Sequence, residues 1–284
     1  MTTLTLAGGR RLDLAAPVVM GVLNVTPDSF SDGGRHATFE AALRAAETML
    51  AAGAALVDVG GESTRPGAAP VPAGEELRRV LPVVRELVGQ GALVSLDSSK
   101  PEVIGPCLEA GAHLVNDVRA LGLPGALEAV AASGAAACLM HMRGDPGSMQ
   151  RDPRYADPVA EVGGFLAARV EACIAAGIGR DRLLVDPGFG FGKTLAHNLA
   201  LLRGLPRVVA LAGGLPLLAG LSRKSMIGAI TGRPVGERLA GGLALAIAAV
   251  EGGARIIRTH DVAETVDALR AWSAFRGASP AGEG

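Results

Sequence analysis

Residues able to do chemistry occur in eight clusters, each directly after a short apolar run. The clusters open at Asn24, Gly60, Asp97, Asn116, His141, Asp186, Ser222 and Arg258. Asp97, Asp186 and Asn116 are two carboxylates and an amide, a set of acceptors suited to a flat heterocycle with several N–H donors. Burying them without such a partner costs free energy. Lys224 would offset their charge and donate to a ring nitrogen or carbonyl. Arg258 and His260 fit an anion, and Asn24 fits an anion or a divalent cation. The chemistry these residues suggest is recognition of a heterocycle and an anion more than acid–base catalysis.

Blander roles compete at several positions. Asp97 precedes Pro101 at a helix start and alone would read as a cap. Asp186-Pro187-Gly188 alone is an ordinary turn. Asp117 and Asp261 read as caps or supporting partners, His113 as a packing histidine, and Glu62 as a brace for its loop. His260 is the histidine singled out for function, because it shares a cluster with Arg258. Lys100, Lys193 and His141 are left open, with a helix-start charge and a loop donor as the structural readings of the two lysines. Residues 187–194 resemble a phosphate-binding loop, but Pro187 stands where that pattern requires glycine. Gly190-x-Gly192 lacks the third glycine of a dinucleotide fingerprint, and no His/Cys set has zinc spacing.

The apolar runs that position these clusters are Val18–Leu23, Ala55–Val59, Leu93–Leu96, His113–Val115, Ala135–Met140, Leu183–Val185, Leu217–Leu221 and Arg255–Ile257. Helical stretches are expected over Phe39–Ala52, Ala73–Val88, Pro101–Ala110, Pro124–Ala132, Pro158–Ala176, Leu195–Leu202, Val235–Glu251 and Val262–Phe275. Strand then helix, eight times over, predicts an α/β fold: a (β/α)8 TIM barrel. The runs do not alternate, as expected of parallel strands covered on both faces. Gly53, Gly91, Gly111, Gly134, Gly177 and Gly252 read as helix C-caps. Thr2 to Leu14 reads as a short N-terminal β-hairpin around a glycine turn. A barrel does its chemistry at the strand C-termini and holds phosphate at its last loops, which is where Arg258 and His260 fall. One domain is expected over residues 1–276, with a disordered tail over 277–284.

A chain of 284 residues with 49% hydrophobic content can bury a large core. A net charge of −1 argues against nucleic acid and anionic membrane surfaces. The apolar runs are too short to span a bilayer, and the N-terminus lacks a signal-peptide pattern. Cys107, Cys138 and Cys173 are widely spaced and odd in number, as buried reduced thiols of a cytoplasmic protein would be. Only three of the 27 basic residues are lysines: Lys100, Lys193 and Lys224. Each retained lysine therefore invites a specific explanation.

MGVLNVTPDSFSDGG, GESTRPGA, LVNDV, MHMRG, DPGFGFGK, LSRKSMIG and RTHDV occur in this order between Met20 and Val262. Together they resemble the dihydropteroate synthase family. The resemblance implies a cytoplasmic, homodimeric transferase of folate synthesis and a target of sulfonamides. Its substrates would be a pterin diphosphate and p-aminobenzoate, with Mg²⁺ as cofactor. It implies a pterin pocket of Asp97, Asn116, Asp186, Lys224 and Arg258, the last stacking on the ring as a planar guanidinium can. It puts the diphosphate against Asn24, Thr64, Arg258 and His260, with the metal at Asn24. p-Aminobenzoate would be framed by Thr64, Pro66, Phe189, Gly190, Ser222 and Lys224. Asp97, Lys224, Arg258, Thr64 and Arg65 would carry catalysis, and loops bearing Ser29 and Thr64-Arg65-Pro66 would fold over the site. The implied chemistry is a dissociative substitution in which a good leaving group departs before the arylamine attacks.

Two departures stand out. Ser98-Ser99 follows Asp97 where an aromatic residue is expected, and Thr259 sits where an aliphatic one is expected. Two other functions stay open on this fold: a methyltetrahydrofolate:corrinoid methyltransferase-like barrel and a non-catalytic pterin-binding barrel. The 64–66 loop and the Arg258/His260 pair argue against the first, and the intact Asn24 and Lys224 against the second.

Overall fold

The computed structural model describes residues 2–26, 34–63 and 67–277, without the side chains of 34–38. The expectations for Ser29, Thr64, Arg65, Pro66 and the tail beyond 277 lie outside the described residues. Among the described residues, ten strands are β1 (Thr3–Thr5), β2 (Arg11–Asp13), β3 (Val18–Asn24), β4 (Leu56–Gly60), β5 (Val94–Asp97), β6 (Leu114–Asp117), β7 (Ala136–Met140), β8 (Leu183–Asp186), β9 (Leu217–Gly220) and β10 (Ala254–Thr259). β1 and β2 pair antiparallel around a 3-10 turn at Ala7–Gly9. The other eight close a parallel barrel in the order β10-β3-β4-β5-β6-β7-β8-β9, as the eight-fold rhythm predicts.

Among the described residues, the α-helices are α1 (Gly34–Ala51), α2 (Ala73–Gly89), α3 (Pro101–Glu109), α4 (Ala126–Ser133), α5 (Pro158–Ala175), α6 (Leu195–Arg203), α7 (Leu205–Leu211), α8 (Ser225–Thr231), α9 (Leu239–Glu251) and α10 (Val262–Phe275). Two helices, α7 and α8, lie outside the stretches expected to be helical. Pro206 sits in the first turn of α7 just after the break at Gly204, so the chain starts a new helix there. α8 ends at Gly232 in a left-handed conformation; the helix expected from Val235 opens instead as a 3-10 turn over Val235–Glu237, and α9 begins only at Leu239. Five of the six expected capping glycines take positive φ, but Gly252 does not (φ −75°), and the left-handed residue there is Gly253 (φ +105°).

Side chains of a strand alternate between its two faces, and here the two sets differ in kind. The outward set, including Val57, Val59, Leu96, Val115, Leu139 and Val185, packs under the helices. The inward set starts apolar at the strand N-termini with Met20, Leu56, Leu114, Cys138, Leu184, Leu218 and Ile256. Leu4, Leu6, Leu12 and Leu14 of the hairpin seal that end. Two residues further along the same inward rows the side chains become polar: Asp58, Asn116, Asp186 and Arg258. The barrel is therefore plugged at one end and chemically equipped at the other.

Candidate active site

A cavity of about 620 Å³ opens at the C-terminal ends of the strands. Every sequence-predicted site residue within the described segments lines it: Asn24, Asp97, Asn116, Asp186, Phe189, Gly190, Ser222, Lys224, Arg258 and His260. Met140 and Met149 also line it, though the sequence reading did not place either there. The i, i+2 step from Cys138 would have found Met140. Met149 lies on the long loop after β7, where no periodicity guides a reading.

The most consequential residue missed is Asp58. It lies in the middle of an apolar run, fully buried inside the barrel. One carboxylate oxygen accepts from the Ser95 hydroxyl at 2.6 Å. The other accepts from Arg258 Nε at 2.6 Å and Asn116 Nδ2 at 2.9 Å. Arg258 reaches Asp97 with its other arm, NH2 to Oδ2 at 2.6 Å. One guanidinium thus bridges two buried carboxylates, a geometry its planar fork suits and a lysine ammonium does not. A strict period-two reading of β4 and β5 would have flagged both Asp58 and Ser95 as inward-facing.

Burial sets the electrostatics. It pushes Asp186 up to about 6, against the pull of the Gly188 N–H (2.7 Å) and of the Lys224 and Arg258 charges. It pushes Asp97 upward too, with Arg258 opposing and Asp58 adding to the rise. Asp97 and Asp186 line the cavity, with Asp58 buried beneath, so a ligand presenting N–H donors relieves an existing strain on charge.

The loop after β8 builds one wall. Gly188, Gly190 and Gly192 all have positive φ, and a Cβ at Gly188 would fall 2.0 Å from the His141 carbonyl oxygen. Lys193 turns back under this loop, buried, and donates to the carbonyls of Gly188 (2.9 Å) and Phe191 (3.0 Å). It also lies 3.0 Å from His141 Nδ1. A phosphate loop aims amides at its ligand, whereas here an ammonium fills the nest of carbonyls, so the resemblance to such a loop is superficial. Burial drives Lys193 down to about 7 and His141 down to about 3. His141 is packed behind the wall against Phe165 and is absent from the cavity lining. Lys193→Met should remove the donor while keeping the volume. We expect a loss of about 2 kcal/mol, lowering Tm by roughly 4–8 °C. Differential scanning calorimetry checks this, and an unchanged Tm would refute the bracing role.

Other residues brace the cavity rim and the loops around it. Lys100 pairs with Glu62 (2.8 Å) and Glu76 (2.5 Å) and donates to the Val71 carbonyl (2.7 Å). Glu62 also accepts from the Val71 N–H at 2.7 Å, so this group ties down the base of the loop after β4. Asp117 accepts from the N–H groups of Arg119 and Leu121 (both 2.7 Å) and from the Ser99 hydroxyl, which gives that departure from the family pattern a role. Thr259, the other departure, is buried, and its hydroxyl accepts from the Asp261 N–H at 3.1 Å. Arg223 holds a left-handed conformation (φ +60°) between Ser222 and Lys224 and is pinned to Asp261 across the strand gap. Ser222 Oγ lies 3.1 Å from His260 Nδ1, linking the seventh and eighth barrel exits. His113 sits at the opposite end of the barrel, where its Nδ1 accepts from the Val94 N–H at 3.1 Å.

A closed (β/α)8 barrel with buried acceptors beside an arginine, a lysine and a histidine defines a binder of an N–H-rich heterocycle carrying an anion. Residues 20–260 match the family of pterin binding enzymes. The dihydropteroate synthase of Escherichia coli K12 is 53% identical over 265 residues, 93% of each chain. The dihydropteroate synthase of Yersinia pestis, solved with a sulfonamide drug complex, superposes with a TM-score of 0.91 at 52% identity, covering 97% of this chain and 100% of that one. That of Xanthomonas albilineans in complex with 7,8-dihydropteroate superposes with a TM-score of 0.87 at 49% identity, covering 96% and 98%. The chain belongs to the pterin-binding enzymes and, among them, to the dihydropteroate synthase family.

Proposed function

We propose that this protein joins 6-hydroxymethyl-7,8-dihydropterin diphosphate to p-aminobenzoate, forming 7,8-dihydropteroate and pyrophosphate in folate biosynthesis. The observation that carries this reading is the convergence of Asp97, Asn116, Asp186, Lys224 and Arg258 on one cavity in a chain of this family. The acceptors take the pterin N–H groups, and Lys224 donates to the ring. Arg258 lies against the ring and, with His260 and Asn24, faces the diphosphate. Phe189, Gly190, Ser222 and the Lys224 stem frame p-aminobenzoate, which is where a sulfonamide would compete. Thr64 and Pro66 join that frame, and Thr64 and Arg65 assist catalysis. Residues 1–276 act as one pterin-binding unit.

The methylene–oxygen bond breaks first, and its electron pair leaves with the diphosphate. Positive charge then grows on the pterin methylene, above anionic Asp97 and Asp186. The arylamine nitrogen forms the new bond and releases its proton. No nucleophile on the protein is required, because stabilising developing charge supplies the catalysis. Mg²⁺ fits the donor chemistry. Among the described residues no group of three or more His, Cys, Asp or Glu is arranged to hold a metal. Magnesium, however, typically takes one or two protein oxygens plus substrate phosphates and water. Asn24, on the cavity wall, would supply the protein oxygen. When bound, the ion neutralises charge on the leaving group.

The partners follow the same reading: small-molecule substrates, no nucleic acid and no membrane, in the cytoplasm. No helix of the described residues is long and apolar enough to cross a membrane. A homodimer is supported by the α8–α9 face. α9 carries no charge before Glu251, and Ile230, Val235 and Leu239 are 51%, 57% and 38% exposed. A helix apolar all round calls for a cover, and a second copy supplies it. Replacing Ile230 and Leu239 by Glu should convert a dimer to monomer at micromolar concentration in sedimentation equilibrium. An undisturbed dimer would move the interface elsewhere.

The test of function is direct. Purified protein with the pterin diphosphate, Mg²⁺ and p-aminobenzoate should release pyrophosphate and dihydropteroate in equal amounts. Pterin binding without product would favour the methyltransferase-like or non-catalytic reading instead.

A further inference from the structure

Asp58 is fully buried and does not line the cavity, yet it contacts two residues that do, Asn116 and Arg258. Its carboxylate is held from three strands: by Ser95 of β5, Asn116 of β6 and Arg258 of β10. Asp97 sits higher, at the end of β5 on the cavity wall, and is joined to Arg258 NH2. The two ends of the guanidinium are thus held unequally. The Nε end is on a carboxylate that is fully buried and fixed by three donors. The NH2 end is on a carboxylate facing the space where a ligand enters.

We propose that Asp58 is a positioning residue: the fixed pivot that retains Arg258 by Nε while NH2 exchanges Asp97 for the incoming substrate. The inference rests on the function proposed above and deepens it. Arg258 NH2 holds the Asp97 acceptor that a pterin N–H needs. An arriving pterin diphosphate supplies both halves of the exchange, because its ring N–H groups replace NH2 on Asp97 and its diphosphate oxygens take NH2. The number of charge-assisted hydrogen bonds is conserved, so the exchange is not opposed by an unpaired buried charge. Without the pivot, Arg258 has Asp97 as its remaining carboxylate partner among these contacts, and that pair competes with the ligand.

The test is a double-mutant cycle with Asp58→Asn and Arg258→Ala, read as kcat/KM for the pterin diphosphate. Asparagine keeps neutral partners for Ser95 and Asn116 and removes only the charge that holds Arg258. Asp58→Asn alone should lower kcat/KM for the pterin diphosphate by about 10- to 100-fold, on the scale of losing one partner of a charged pair. The KM for p-aminobenzoate should stay within about twofold, since that subsite does not touch Asp58. In the Arg258→Ala background the Asp58→Asn penalty should vanish. An equal penalty in both backgrounds, or an Asp58→Asn enzyme within about twofold of wild type, would overturn the pivot.

Should Asp58→Asn fail to fold by circular dichroism, Ser95→Ala serves in its place. It leaves the charge but frees one oxygen of Asp58, and a milder loss of about 3- to 10-fold is expected, again absent without Arg258. A Ser95→Ala enzyme with wild-type kinetics would equally overturn the pivot. Wild-type protein in the same assay separates the two claims. No dihydropteroate from wild type refutes the proposed function, whereas normal wild-type turnover with an indifferent cycle refutes only the pivot.

Discussion

Lys224→Ala should weaken binding of the pterin diphosphate by on the order of 30- to 1000-fold, or about 2–4 kcal/mol. Lys224 stands at the start of α8, where its ammonium lies 4.2 Å over the Phe191 ring and its charge acts on Asp186. Its stem passes close against Gly190, where a Cβ would lie 3.3 Å from the Lys224 Cδ. One side chain thus supplies a donor to the ring, a counter-charge for the acidic floor and an apolar strip beside the aminobenzoate position. Alanine removes all three and leaves Asp186 with less compensation. Isothermal titration with the pterin diphosphate checks the result, and near-normal affinity would take Lys224 out of the pocket. A parallel rise in the KM for p-aminobenzoate is expected, because the stem borders both subsites.

Asp186→Asn should be comparably severe, and it carries a pH signature. Asp186 must be ionised to accept two N–H groups at once, and burial holds its carboxyl at about 6. Pterin affinity should therefore fall roughly tenfold per pH unit below about 6 and level off above it. The substituted amide presents one oxygen and an NH2 group that meets the ring's own donors. The affinity loss should be on the order of 100-fold at pH 7.5, and the dependence near pH 6 should flatten. Stability moves the other way. A buried acid with a raised pKa binds a proton that the unfolded chain does not, over the window from about 4 to about 6. Its contribution to stability is full below that window and is lost as pH rises through it. Asp186→Asn should thus melt higher than wild type at pH 8 while binding pterin far worse. Thermal scans of the two proteins across pH 5–8, with pterin titrations alongside, measure both. A variant that loses stability and affinity together at pH 8 would contradict this account of the acidic floor.

The eight-fold rhythm and the polar strand exits were legible because they rest on local chemistry. A parallel strand buried on both faces must be written in apolar residues, and the residue that ends it is free to be polar. Asp97, Asn116, Asp186 and Arg258 announce themselves at such ends, and the ordered motifs then attach a family to them. The break before α7 was equally local: Gly204 and Pro206 mark it, and the expected helix stops just short of it at Leu202. The gap between α8 and α9 was less accessible. Its position depends on Arg238, whose guanidinium donates to the carbonyls of Arg223 and Arg233, both at 3.1 Å. Nothing near Arg238 in the sequence specifies those partners.

What the sequence by itself determined is the inventory: how many strands, which polar groups stand at their ends, and the family those groups belong to. Only the tertiary structure decided how they are paired. Barrel closure brings Arg258 against Asp58 and Asp97, 200 and 161 residues away along the chain. It turns Lys193 into a brace for carbonyls and leaves Lys224 to face the cavity, though both lysines directly follow a glycine-rich or polar strand exit. The reason is physical: a hydrogen bond of 2.6 Å depends on the stagger and tilt of eight strands closing on themselves. That arrangement is a property of the whole ring, which no single strand encodes.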